Sequence, residues 1–149
     1  MTALINRSIR ILGIGTDIVK IARFTNNSEN ERFLKRAFHT DEINRFNDLK
    51  RTVSDQSALQ YLAGRWAAKE SVYKAFGGRD RARLNFQNIR IMTNERGTPY
   101  VDLVGNTREL ANELDVSTIH LSISHDTDYA VANAIIEHYY NQSQDTTKQ

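Results

Sequence analysis

The longest regular pattern in the chain runs through Leu62–Gly78, LAGRWAAKESVYKAFGG. Leu59, Leu62, Ala63, Trp66 and Tyr73 recur at three- and four-residue steps, which at about 100° per residue aligns them in one apolar stripe. The pattern predicts an amphipathic helix, capped at its start by Ser54 or Asp55 and stopped by Gly77 and Gly78. Glu70 falls inside the stripe, four residues after Trp66 and three before Tyr73. An unpaired carboxylate in apolar surroundings costs roughly several kcal/mol, so it needs a cation, a donor or a proton. Two readings follow. Glu70 pairs with Lys74 at i+4 on the helix rim, or it is a metal ligand beside phosphate-binding lysines, Lys69 and Lys74. The second reading requires another buried acid elsewhere.

Ile9–Ile21 begins in alternation and passes into the nearly continuous apolar run ILGIG, which predicts a buried strand. Gly13 and Gly15 would bare one face of it to another backbone. Asp17 follows, between Ile14 and Ile18-Val19. It is a turn or N-cap residue, or the second carboxylate sharing one hard cation with Glu70. Arg32–Phe38 predicts a helix with Phe33, Leu34, Ala37 and Phe38 on one side. Thr40 resembles the N-cap of another, with Asp41 and Glu42 suiting the helix dipole and Ile43 and Phe46 turned inward. Arg79–Arg83, RDRAR, reads as a solvated basic turn. Phe86–Met92 and Tyr100–Val104 predict a hairpin around Glu95–Pro99. Thr107–Leu114 predicts a short helix. Ile119–Ser124 and Tyr129–Ile136 predict two strands joined at Asp126-Thr127-Asp128, and Asn141–Gln149 is a polar tail.

Composition narrows the field. A length of 149 residues suits one domain, and 40% hydrophobic with 26% charged residues is ordinary for a globular protein. No apolar run approaches the roughly 18 residues of a membrane span. A net charge of +2 is too mild to imply nucleic acid. The absence of cysteine excludes disulfides, thiolate zinc sites and a cysteine nucleophile. The first ten residues hold two arginines and no acid. They are too short and weakly apolar for a secretory signal, and read as the stub of an organellar targeting segment or a ragged start. Between Lys20 and Arg51 basic residues outnumber acidic ones eight to five. That excess is a solvated face, or it steers an acidic partner.

Four blocks stand in order: GIGTDIVKIARF (Gly13–Phe24), FLKRAFHTDEINRF (Phe33–Phe46), AGRWAAKESVYKAFG (Ala63–Gly77) and SISHDTDYAVA (Ser122–Ala132). Together they resemble the holo-acyl-carrier-protein synthase family, the short type of 4′-phosphopantetheinyl transferase. GTPYVDL (Gly97–Leu103) resembles that family's hairpin, and the likeness runs from about Ile11 to Glu137. It implies an α+β fold, a small and largely antiparallel sheet packed on the long central helix. It also implies one domain over 11–140, flanked by an N-terminal extension and the tail.

The implied activity is transfer of the phosphopantetheine arm of coenzyme A to a serine of an acidic apo acyl carrier protein. Asp17 and Glu70 would then ligate Mg²⁺, or Mn²⁺, with the coenzyme's diphosphate. Glu70 and Lys74 would be catalytic. Arg65, Lys74, Gly77, Ser124 and His125 would meet coenzyme A, and Arg23, Arg32 and Arg36 the carrier protein. The resemblance also implies a homotrimer with active sites between subunits, His125 or Arg23 crossing the interface. Nucleic acid and membrane are not expected partners. Ser71 stands where alanine is usual, its hydroxyl bonding back to the helix or adding to phosphate contacts. Asp126 and Asp128 either raise the pKa of His125 or shape the turn. The longer N-terminus and the wording FHTDE and SISHD suggest a fungal mitochondrial member, the alternative being a bacterial cytoplasmic one. Two other readings compete: a catalytically silent interaction module, and a small basic nucleic-acid binder that leaves Asp17 and Glu70 unexplained.

Overall fold

The computed structural model describes residues 7–141. Its centre is the helix α4 (Asp55–Ala75), capped by Ser54, whose hydroxyl accepts from the Ser57 amide. Gly77 follows in the left-handed region at φ 64° and donates to the Lys74 carbonyl, ending the helix where the sequence pattern places its stop. The buried face keeps Leu62 and Ala63 of the expected stripe and is otherwise shifted from it. Ala58, Leu62, Ala63, Ala67, Ala68, Val72 and Ala75 are fully enclosed, whereas Leu59, Trp66, Glu70 and Tyr73 lie half-buried along one flank. Small residues dominate because two layers close on this helix and its backbone has to approach both.

One layer is a three-stranded antiparallel sheet in the order β1-β5-β4, built from β1 (Arg7–Lys20), β4 (Val116–His125) and β5 (Tyr129–Asn141). Its inner face carries Gly13, Gly15, Asp17 and Val19 of β1, opposite Ile136, Ala134, Ala132 and Ala130 of β5. The close approach expected at the glycines is real. A Cβ on Gly13 would collide with the Ala75 carbonyl, and one on Gly15 with the Ser71 carbonyl. Neither obstacle is a side chain that can swing away. The turn between β4 and β5 is shaped by Asp126, whose carboxylate accepts from the Asp128 and Tyr129 amides. Those two amides, Tyr129 first, hold its carboxyl below the usual range.

The other layer is helical and basic. A 3-10 turn at Ile21–Arg23 leads into the single-turn helix α1 (Phe24–Asn27), then α2 (Glu31–Ala37) and α3 (Thr40–Thr52). The cap of α3 is His39 rather than Thr40. Its imidazole accepts from the Asp41 amide, and Glu42 reaches back to the His39 amide. Glu42 therefore closes a capping box instead of merely facing the helix dipole, and it is buried. A two-stranded sheet, β2 (Ile89–Thr93) with β3 (Pro99–Leu103), covers the C-terminal half of α4, and α5 (Gly105–Glu113) follows. The hairpin is shorter than predicted because Phe86–Asn88 forms a 3-10 turn. Residues 1–6 and 142–149, the ends of the predicted extension and tail, lie outside the described residues.

The glycine contacts generate a test. Gly15→Ala forces two backbones apart and should lower stability by about 1–3 kcal/mol or more, read as the shift in a urea or thermal midpoint.

Candidate active site

The register of β1 decides where Asp17 goes. It faces inward, in the row Asp17–Ala132–Ile123, two residues beyond the Gly15 contact with α4. Glu70 and Lys74 stand one turn apart on the flank of α4 beside it. Lys74 does not pair with Glu70. Its ammonium donates to Asp17 Oδ1 and to the Thr16 carbonyl, both at 2.9 Å. The rim pair open to sequence reading is thus replaced by a bridge from helix to strand. Glu70 has no hydrogen-bond or ion-pair partner among the described residues. Burial pushes its carboxyl up, the Asp17 charge pushes it further, and Lys74 and Arg23 oppose both. Lys74 thus joins the Asp17 carboxylate to the flank of α4 that carries Glu70 one turn earlier.

Asp17 is 17% exposed and Lys74 49%, so the cluster opens to solvent on one side. Among the described residues no group of three or more His, Asp and Glu side chains gathers to hold a metal ion. Two hard oxygen donors with an open side suit a cation that completes its shell with water and phosphate oxygens, which is the habit of Mg²⁺. The like-charge strain on Glu70 is the second sign that a cation fits there.

Lys69 departs from the sequence reading. It is fully buried and turned away from Glu70, pairing with Glu42 at 2.7 Å. It is unavailable to a phosphate. Ser71 is buried too, its hydroxyl donating back to the Ala68 carbonyl at 2.8 Å, the first of the two alternatives raised by its sequence. Arg65 points to the opposite side of α4. It donates to Thr93 Oγ1, stacks over the Tyr61 ring at 4.5 Å and borders a cavity of about 480 Å³ with Asp41 and Arg45. Gly77 ends the helix, with the Arg79 guanidinium folded over it.

Ser124 and His125 are not brought to Asp17 and Glu70 within one chain. Ser124 lies in the row Ile18–Val131–Ser124, on the sheet face turned away from α4. Both border a shallow depression of about 270 Å³ with Ile18, Tyr129 and Val131. Arg23 stacks over Trp66 at 5.0 Å and adds positive charge on the Glu70 side of its own chain. Arg32 and Arg36 border a groove of about 930 Å³ whose aromatic wall is Phe33, Trp66 and Phe86. The sequence pattern makes Trp66 part of a core stripe and misses this wall. Its signal was weak: Trp66 and Phe86 lie far apart and meet only through the 3-10 turn, their ring centroids 5.2 Å apart.

With this geometry in hand, comparison with known proteins is informative. Residues 13–134 match the family model of the 4′-phosphopantetheinyl transferase superfamily. The chain is 41% identical over 128 residues to the holo-[acyl-carrier-protein] synthase of Clostridium novyi, covering 85% of this chain and 88% of that one. The crystal structure of holo-[acyl-carrier-protein] synthase from Neisseria meningitidis superposes with a TM-score of 0.74 at 30% identity, over 85% of this chain and 98% of that one. That of Bacillus anthracis, in complex with CoA (3′,5′-ADP), gives 0.70 at 27% identity, over 88% and 99%.

The state of Glu70 has a measurable sign. Its folded pKa lies above the unfolded value, so without metal the folded protein is favoured at low pH and loses that contribution as pH rises through the raised pKa. In a chelator, Glu70→Gln should therefore raise the melting temperature at pH 7, and the gain should vanish below about pH 4, where the unfolded carboxyl is also protonated. Thermal melts at the two pH values check this.

Proposed function

The chain belongs to the 4′-phosphopantetheinyl transferase superfamily, and on that premise we propose that it moves the 4′-phosphopantetheine arm of coenzyme A to a serine of an apo acyl carrier protein. The observation that carries the proposal is the convergence of Asp17 from β1 with Glu70 and Lys74 from α4, in a chain so similar to holo-[acyl-carrier-protein] synthases. The serine Oγ bonds to the β-phosphorus of coenzyme A, the bond from that phosphorus to the bridging oxygen breaks, and adenosine 3′,5′-bisphosphate leaves. Glu70, or a water that it orients, takes the serine proton. Lys74, half-exposed, is the cation that exchanges Asp17 for the diphosphate. Asp17 and Glu70 would hold Mg²⁺, or Mn²⁺ in its place, which when bound supplies positive charge to the transferring phosphoryl group.

Arg23, Arg32 and Arg36 are the groups we assign to the acidic carrier, gathered around the Trp66 groove. Coenzyme A would be met by Lys74, Gly77 and, from the remaining surfaces, Arg65, Ser124 and His125. Arg65 and Ser124 face away from Glu70 in one chain, and His125, in the inner row Val19–Ala130–His125, stands on β4 with β5 between it and β1, which supports an active site shared between copies. So does the outer face of the sheet. Ile14 is 70% exposed and Ile18 65%, with Ile9, Ile11, Ile135 and Tyr139 beside them. An apolar sheet face of this kind marks an interaction surface, and a homotrimer is the assembly we propose for it. No helix among the described residues is long and apolar enough to cross a membrane. The named bacterial relatives lend the mitochondrial reading no support, so a bacterial-type cytoplasm is the compartment we propose.

Incubation with apo carrier protein, coenzyme A and Mg²⁺ should add the pantetheine arm, read by mass spectrometry; no mass gain at micromolar enzyme overturns the proposal. Asp17→Asn and Glu70→Gln should each cut kcat by about a hundredfold or more while leaving the fold intact by circular dichroism. Arg32→Ala with Arg36→Ala should raise KM for the carrier and flatten its salt dependence. Sedimentation should show a trimer, and a fully active monomer would remove the shared-site reading.

A further inference from the structure

The Lys69 ammonium lies within the protein with every N–H used. It donates to the Phe86 carbonyl at 2.8 Å and the Ile89 carbonyl at 2.6 Å, and pairs with Glu42 Oε2 at 2.7 Å. Glu42 is saturated as well. Its Oε2 also accepts from the His39 amide at 2.8 Å, and its Oε1 from the Ile91 amide at 3.1 Å. One buried pair thus ties four segments together: α4, the start of α3, the 3-10 turn Phe86–Asn88, and β2. Burial pushes the ammonium down in pKa, and Glu42 opposes it. A pair this enclosed is poor evidence for stability, because apolar residues of similar volume commonly do as well. Its geometry has to be explained by what it holds.

What it holds is the backbone of Phe86. The Phe86 ring packs edge-on against Trp66 at 5.2 Å and Tyr73 at 6.0 Å, and those two residues bracket Glu70 at four before and three after. Phe86 also lines the groove that Arg32 and Arg36 wall. The same pair fixes the entry to α3 through His39, immediately after the helix that carries those arginines. We infer that Lys69 is a positioning residue: through the Phe86 carbonyl it sets the aromatic wall of the groove against α4, so that a carrier docked on the arginines presents its serine to Glu70. Lys69 touches no substrate. The inference rests on the transfer reading for its kinetic consequence, and on the fold alone for its spectroscopic one.

Trp66 is the only tryptophan in the chain, so its fluorescence reports the packing of Phe86 directly. Lys69→Met removes both carbonyl bonds. Acrylamide quenching of Trp66 should rise, and KM for the carrier should rise about tenfold, while KM for coenzyme A stays within about twofold. Phe86→Ala, which removes the wall without touching the pair, should give the same split. Should Lys69→Met fail to fold, Glu42→Gln takes its place; it keeps an acceptor for the Ile91 amide, drops the counter-charge and should shift the same two readouts to a smaller extent. Unchanged quenching with equal kinetic constants per folded molecule, and only a lower melting temperature, would reduce the pair to a stability element and overturn the inference. A carrier KM insensitive to Phe86→Ala would overturn it too. If the wild-type protein transfers nothing, the transfer reading fails, and the quenching experiment still decides whether Lys69 sets the wall.

Discussion

Everything at the site depends on how closely one strand lies on one helix. Gly13 and Gly15 let the β1 backbone rest against the Ala75 and Ser71 carbonyls of α4. Two residues further on, the pleat turns Asp17 to the same face, with the separation already set by main chain rather than by side chains that repack. An acid on a strand and an acid on a helix, distant in sequence, are thereby brought together. The alanines of β5, Ala130, Ala132 and Ala134, continue the same thin seam across the sheet.

The charges divide into two sets of opposite character. Around Asp17 and Glu70 they are half-exposed and exchangeable: Lys74 holds Asp17 from a position where water reaches it, and Arg23 acts from across Trp66. Around Lys69 and Glu42 they are enclosed and fully satisfied. Lys69 and Glu70 are consecutive on α4, so about 100° of helix rotation separates a buried, paired cation from a half-buried acid with no partner among the described residues. The first set is open to other partners. The second set has no partner left to trade.

Much of this was legible from the chain. The glycines of β1, the long helix and its stop, and the two acids in apolar settings are local signals, and local signals survive folding. The inward faces expected for α2, α3 and α5 hold, with Leu34, Ala37, Phe46, Leu110 and Ala111 buried; what failed was the buried face of the central helix. The periodic stripe put Trp66 and Tyr73 in the core, because amphipathic reasoning assumes one buried side, and α4 is covered on two. The alternative that gave Lys69 to a phosphate fails for the same reason. The acceptors of Lys69 are two carbonyls and an acid from three other segments, and no sequence spacing announces a carbonyl. Glu42 looked like an ordinary first-turn acid. Only its own burial, the capping box with His39 and the Ile91 amide on its other oxygen reveal that it is committed twice.

The double clamp on α4 also bears on how such a protein can diversify. Between the strand's main chain on one side and the Lys69 knot on the other, the helix has almost no room to shift, so a substitution on either enclosed face has nowhere to be absorbed. The exposed arginines of α2 and the loop after Gly78 can change their side chains without moving main chain. The scaffold therefore separates a fixed interior from a rim whose charge can be altered independently of it.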